Sequence, residues 1–342
     1  MKYLKRLKRS TFWKYMIIIF IKPFLDFLWK NIFNIHGRIL YFLWFRKKRN
    51  YIGMRNNDKL LVKNNDLFKN LSNKILNATN KDIIDNSTNE ILSSNSEELN
   101  QSNSKEKKYS INIFEKLDEN LKKEIFEFAS SDLMISTAAK YLGVYPILST
   151  ILLNYNVPRN IDDPRGAMLW HKDDLGYKSL DLFMAVSDIN DLNGPFYTLR
   201  DKNKLGVLTK IDAEVQNPIR GERQKIKLEE FEKYNNSDDI ISLKGDSGTA
   251  MFIDSFSCYH RGGHCKKNHR LLLRISYQGV DSVALKKNTN GILNFYKKIN
   301  HADINNLFVK FLLFKRSAIF ENLNLKTKLL KIYNIINYKQ SF

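Results

Sequence analysis

The sequence predicts a mainly β domain with flanking helices (α+β), a helix-flanked sandwich or barrel rather than a succession of βαβ units. Helical apolar spacing occupies residues 114–141, and short apolar runs parted by Gly, Asn and Pro follow it to about residue 277. Basic amphipathic spacing then resumes over 291–342. Helices first, many short strands next and helices last is the order of a β core wrapped at both ends.

The first 50 residues form a basic aromatic segment with 13 Lys/Arg and a single acid, Asp26; the other 292 residues hold 43 basic and 35 acidic side chains. Most of the chain's formal charge of +20 therefore sits at its start. The uncharged run at residues 15–21, which no other in the segment exceeds, is far below the ~20 apolar residues a membrane-spanning helix needs, and Pro23 interrupts any helix near its middle. No small-residue cleavage site follows that run, so it does not read as a signal peptide. Trp13, Phe20, Phe24, Phe27, Trp29 and Trp44 interleave with Lys and Arg. That pattern suits helices lying in an anionic membrane interface, or a helical hairpin packed on the rest of the protein. Nothing there resembles a groove-reading motif, so nucleic acid is disfavoured as a partner.

Residues 51–108 are rich in Asn, Ser, Lys and Glu. Their apolar clusters at 60–62, 83–84 and 91–92 are too short to offset the entropy of ordering, and the segment is expected to be a linker. The globular domain is expected over 109–290, followed by basic helices over 291–342. Within it, helices are expected at 114–129 and 131–141, and strands at 147–155, 168–172, 180–186, 240–243, 249–254 and 270–277. Residues 156–166 read as a loop, Asn193-Gly194-Pro195 as a turn, and 229–234 as a short helix. Residues 198–238, with Pro218, Arg220 and Arg223, are a candidate lid or substrate loop.

A hydrophobic fraction of 43% excludes wholesale disorder. Two cysteines exclude a disulfide framework, and no recurring period supports collagen, coiled coil or repeats. Heavy use of Lys, Asn and Ile with few Ala and Gly, a bias of AT-rich coding, inflates the positive charge. A reduced, cytoplasmic setting is expected, with a peripheral place at the inner membrane face.

Six histidines exist, and three fall within ten positions: His260, His264 and His269. Another stands in Trp170-His171-Lys172-Asp173, where residues i and i+2 of a strand share a face. With His260 from a distant strand, His171 and Asp173 form a candidate 2-His-1-carboxylate set, which leaves coordination positions open for non-heme Fe(II) oxygen chemistry. Alone, His-x-Asp arises often by chance. Arg270 lies ten residues after His260 and shares a strand face with Leu272, Arg274 and Ser276. A guanidinium there offers a bidentate fork to the far carboxylate of a dicarboxylate cosubstrate. Cys258, His260, His264 and Cys265 are an alternative, less well arranged zinc set. Trp170 and Phe183 are candidate pocket walls, and Asp174 a solvated acid. His36 and His301 have no chemical neighbours in the sequence and read as surface or packing residues.

His171-x-Asp173, His260 and Arg270, together with Asn193-Gly194-Pro195-Phe196, Gly245-Asp246 and Phe252-Ile253-Asp254, resemble the phytanoyl-CoA dioxygenase family of Fe(II)/2-oxoglutarate-dependent oxygenases. The likeness spans about residues 109–283. It implies a double-stranded β-helix, or jelly roll, holding Fe(II) through His171, Asp173 and His260. It also implies 2-oxoglutarate as cosubstrate with O2, its distal carboxylate on Arg270, or alternatively on the Arg274-x-Ser276 pair. The spacing from His260 favours Arg270. Asp173 in place of Gly or Ala implies hydroxylation or desaturation rather than halogenation. The substrate class is a small or lipid-like molecule; the alternative is a non-catalytic jelly roll that binds a membrane surface through residues 1–50.

Overall fold

The computed structural model describes residue 24 and residues 27–53, 59–97, 109–158, 164, 166–173, 178–199, 225–233, 235 and 237–279. In chain order these include α1 (Ile35–Trp44), β1 (Lys59–Val62), α2 (Asp66–Ala78), α3 (Lys81–Glu97), β2 (Ser110–Asn112), α4 (Glu119–Ala129) and α5 (Asp132–Leu142). There follow β3 (Ile147–Asn156), β4 (Ser179–Ala185), β5 (Phe196–Leu199), α6 (Leu228–Glu232), β6 (Ile240–Leu243), β7 (Ala250–Ile253), β8 (His260–Gly262) and β9 (Arg270–Gln278).

Local polar chemistry sets the helix starts. Asp118 is extended, and its Oδ1 accepts from the Leu121 amide at 2.9 Å. The helix expected over 114–129 therefore begins at Glu119, with a separate 3-10 turn at Phe114–Lys116. Ser131 caps α5 in the same way, and Gly143 ends it at φ 71, a conformation that favours glycine.

The strands build two antiparallel sheets, ordered β1-β7-β4-β9-β3-β2 and β6-β5-β8. Alternation along β4 and β9 gives the larger sheet two different faces. Leu180, Leu182 and Met184, with Leu271, Leu273, Ile275 and Tyr277, face the helices in the larger core. Phe183, Ala185 and Leu272 face the other way, packing against Phe196 and Leu243 of the smaller sheet. The chain thus forms the expected helix-flanked jelly-roll core. Arg270, Arg274 and Ser276 ride the inward face of β9.

The expected linker is corrected. Residues 59–97 carry β1, which pairs with β7, and α2 and α3, which place Phe68, Leu71, Ile75 and Ile91 in the main core. The apolar positions of α2 recur at helical spacing, and the sheet supplies the burial that local clusters alone lack. Ser72 of α2 donates to the Ala185 carbonyl at 3.0 Å. Residues 168–172, expected as a strand, are a 3-10 turn at Gly166–Met168 followed by single bridges at Trp170 and His171. The short strands β1, β2, β5 and β8 were not expected; each has only three or four residues, too few to show a period. Residues 98–108, 291–342, Asp174, His301 and most of the candidate lid lie outside the described residues.

Phe68 is fully buried, its ring 5.5 Å from that of Phe128. Phe68→Ala is expected to cost about 3–5 kcal/mol, measured by denaturant unfolding. A change within experimental error would return this segment to a linker.

Candidate metal centre

His171 reaches the interior from the irregular segment before β4, and His260 from the first position of β8. Their backbones exchange two hydrogen bonds, His171 N to His260 O at 3.0 Å and the reverse at 2.9 Å. That pairing holds the rings side by side, with centroids 4.4 Å apart. Each ring is then fixed by its own backbone: His171 Nδ1 lies 2.8 Å from the Leu169 carbonyl, and His260 Nδ1 lies 3.0 Å from that of Cys258. A carbonyl can only accept, so both Nδ1 atoms carry the proton and both Nε2 atoms present a lone pair.

Asp173 meets those lone pairs. Its Oδ1 is 3.6 Å from Nε2 of His171 and 3.6 Å from Nε2 of His260. The three donors lie within 4.8 Å of one another, the one such group found among the described residues. The backbone of Asp173 is held by the Ser255 carbonyl, 2.8 Å from its amide. Its second oxygen, Oδ2, is 2.5 Å from Arg274 Nη2. Arg274 also reaches Oδ2 of the buried Asp181 at 3.4 Å, and Asp181 accepts from the Ser255 hydroxyl. The loop from Ser255 through Asp173, Arg274 and Asp181 closes on itself.

Burial raises the Asp173 carboxyl pKa, but Arg274 and the two histidines outweigh burial and hold it well below the usual range. Burial lowers His171 to about 4, with His260 adding to the effect, so its ring is neutral at neutral pH. Burial likewise opposes the Arg274 charge, yet Asp181 and Asp173 more than restore it.

Arg270 differs from Arg274 in its partners. It is buried, donates from Nη1 to the Gly194 carbonyl and from Nη2 to Asn156 Oδ1 at 3.1 Å, and keeps an unpaired Nε. No carboxylate faces it among the described residues, and burial pulls its pKa down. Gly194 brings its carbonyl into place because it adopts φ 67 and passes so close to Gly263 that an added Cβ would lie 2.6 Å from the Gly263 oxygen. Arg270 Nη2 lies 3.6 Å from where a Cβ on Gly262 would stand, one same-face step from His260. Donor set and guanidinium therefore share one interior.

Ser276 is six residues along β9 from Arg270, about 20 Å, so the two do not meet one small ligand; its Oγ is buried without a partner. Phe183 faces the interior, stacked on Phe196 at 4.1 Å, which in turn lies 5.6 Å from the His260 ring. Trp170 is a core aromatic and not a pocket wall, the more usual of the two readings its sequence position allows: one residue from His171, it turns to the outer face and stacks on Phe231 at 4.2 Å. The zinc alternative is not assembled among the described residues: Cys265 Sγ instead donates to the Asn193 carbonyl at 3.2 Å, and both cysteines are buried with no disulfide between them. Asn156, Asp181 and Ser255 were missed as parts of the site. Asp181 alone carried a signal, a charge inside an otherwise apolar strand.

No family profile matches the sequence, and no curated protein matches it. Among solved structures, it is similar to the non-heme alpha-ketoglutarate-dependent carbocyclase SnoK of nogalamycin biosynthesis, at 12% identity and a TM-score of 0.34, covering 51% of this chain and 64% of that one. EctD from S. alaskensis aligns at 14% identity and a TM-score of 0.39, over 66% of this chain and 74% of its own. EvdO2 from Micromonospora carbonacea var. aurantiaca, complexed with 2-oxoglutarate, aligns at 12% identity and a TM-score of 0.30, over 50% and 66%. The chain spans less than two thirds of the carbocyclase's length. What the centre can do follows from its own donors.

With His171 at about 4 when folded and 6.5 when unfolded, the unfolded chain binds the extra proton between those values. Chelator-treated protein is thus expected to lose stability as pH falls from 6.5 toward 4, by on the order of 3 kcal/mol. Asp173 acts lower: its contribution is intact above the unfolded carboxylate value of ~3.9 and is lost below it. Denaturant midpoints across that range check this, and His171→Gln should flatten the upper limb. An unchanged slope in the variant would place the proton uptake elsewhere.

Proposed function

We propose that this protein is an Fe(II)- and 2-oxoglutarate-dependent oxygenase that hydroxylates or desaturates a small-molecule or lipid-like substrate, releasing succinate and CO2. One observation carries the reading: two imidazole lone pairs and one carboxylate oxygen share an interior with a buried arginine that faces no carboxylate among the described residues. Two histidines and a carboxylate also serve hydrolytic zinc. Arg270 favours iron with a dicarboxylate, because a buried cation lacking an anion is costly unless a ligand supplies one.

In this reading His171 Nε2, His260 Nε2 and Asp173 Oδ1 hold the metal. Arg274 pins the other Asp173 oxygen, so the carboxylate offers a single donor atom. Arg270 takes the distal carboxylate of 2-oxoglutarate, oriented by Gly194 and Asn156; Arg274 is already committed to two carboxylates and is not the anchor. Charge supports the same assignment. Asp173 and Asp181 balance Arg270 and Arg274, so a dication and a dianion entering together leave the buried centre neutral. Bound iron and 2-oxoglutarate would supply the oxidation: the keto acid gives two electrons as it becomes succinate and CO2, the substrate gives two, and the oxygen atoms of O2 end one in succinate and one in the new hydroxyl, or in water for a desaturation. Phe183 and Phe196 line the interior and exclude water around the donors. The Asn193–Phe196 turn and the Gly245–Asp254 stretch support the phytanoyl-CoA dioxygenase type within this class. Two buried cysteines kept as thiols support a reducing, cytoplasmic setting.

Anaerobic addition of Fe(II) and then 2-oxoglutarate should produce a visible charge-transfer band. Arg270→Ala should weaken 2-oxoglutarate binding about 10–100-fold, with partial recovery in Arg270→Lys. Arg274→Ala should weaken iron itself, since Asp173 loses its partner. Wild-type affinity for 2-oxoglutarate in Arg270→Ala would remove the anchor from this account, and absence of any band in wild type would remove the activity.

A further inference from the structure

Of the twelve exposed large hydrophobic side chains among the described residues, seven come from one short stretch: Phe24, Phe27, Ile32, Ile35, Ile39, Phe42 and Leu43. Those on α1 fall at helical spacing on one arc, each between 37% and 57% exposed. The opposite arc is fastened to the domain. Trp44 is buried, its ring 5.3 Å from that of Tyr145, and its indole N–H donates to Ser136 Oγ at 2.8 Å. Gly37 lies against Tyr145, whose amide donates to the Gly37 carbonyl at 2.7 Å, and Arg38 donates to the Gly143 carbonyl at 2.8 Å. Rolling α1 to hide its apolar arc would break all of these. The domain therefore holds the helix so that its apolar side points away.

The charge around that arc says what covers it. Arg46, Lys47 and Lys48 follow the helix directly and are exposed. Residues 1–50 carry 13 cations against one acid. An apolar face rimmed by Lys and Arg, with aromatic residues among the apolar ones, matches the boundary between acyl chains and anionic headgroups. Ten residues of helix reach only ~15 Å, and no helix among the described residues is long and apolar enough to cross a membrane. We infer that α1 is an in-plane anchor that seats its apolar face in an anionic bilayer, with Arg46, Lys47 and Lys48 against the lipid phosphates. This inference is independent of the oxygenase reading, because no residue of the metal centre belongs to the anchor.

The test is flotation of the full chain with phosphatidylcholine vesicles, with and without 30% (roughly) phosphatidylglycerol. The full chain should float with the anionic vesicles, at least about tenfold better than with the neutral ones, and less well in high salt. Ile39→Asp/Phe42→Asp should reduce partition at least about tenfold, and Arg46→Gln/Lys47→Gln/Lys48→Gln should remove the preference for anionic lipid. Both variants alter exposed side chains; unchanged circular dichroism and thermal midpoint verify that they fold. No flotation of the folded wild type, or flotation untouched by Ile39→Asp/Phe42→Asp, overturns the anchor. A lipid-free dimer that this variant dissociates, without vesicle binding by wild type, overturns it in favour of a second copy.

Discussion

Arg274 sits between two carboxylates in a place where neither charge sign is tolerated alone. Asp173 and Asp181 both reach it, and Ser255 ties them through a backbone carbonyl on one side and a hydroxyl on the other. Removing Arg274 leaves two carboxylates without their shared cation, which is far costlier than the pairing is stabilising. This closed loop orients Asp173 so that one oxygen is engaged and the other faces the two imidazoles. It also joins four separate parts of the fold: the segment before β4 that carries Asp173, the turn after β7, the inward face of β4 and the inward face of β9. The metal centre thus depends on how the larger sheet holds the segment that carries Asp173, as much as on its three donor residues.

Arg270 shows the complementary condition. It lies four residues from Arg274 on the same strand face and is more deeply buried, yet among the described residues it meets a carbonyl and an amide oxygen and no carboxylate. A neutral hydrogen-bonding seat fixes the direction of a guanidinium without cancelling its charge. Two arginines of one strand are thereby given different work, one structural and occupied, the other open to an anion. Carbonyl placement at Gly194 depends on a left-handed backbone pressed against Gly263, so the turn that looked like mere punctuation in the sequence is part of the seat.

Much of this was legible in the sequence because strand alternation is short-ranged and strict. It placed Arg270, Leu272, Arg274 and Ser276 on one face of β9, and it grouped His171 with Asp173. The same rule, carried one residue back, would have sent Trp170 to the outer face. What stayed hidden depends on contacts distant in sequence. Residues 59–97 looked like a linker because their apolar residues are sparse, and only the sheet they cover makes Phe68 and Ile75 core residues. Strands of three or four residues show no period and become strands through their neighbours. Spacing from His260 already favoured Arg270 over Arg274; that Asp173 and Asp181 engage Arg274 is a contact that no spacing reveals.

The most direct test of the central claim is iron K-edge X-ray absorption of anaerobically Fe(II)-loaded protein, compared with Asp173→Ala. The account predicts near-stoichiometric iron in a shell of light N and O scatterers, with outer-shell features from two imidazoles and a reduced shell in the variant. A sulfur scatterer near ~2.3 Å would move the metal to Cys258 or Cys265 and contradict the account. So would iron that binds unchanged without the Asp173 carboxylate.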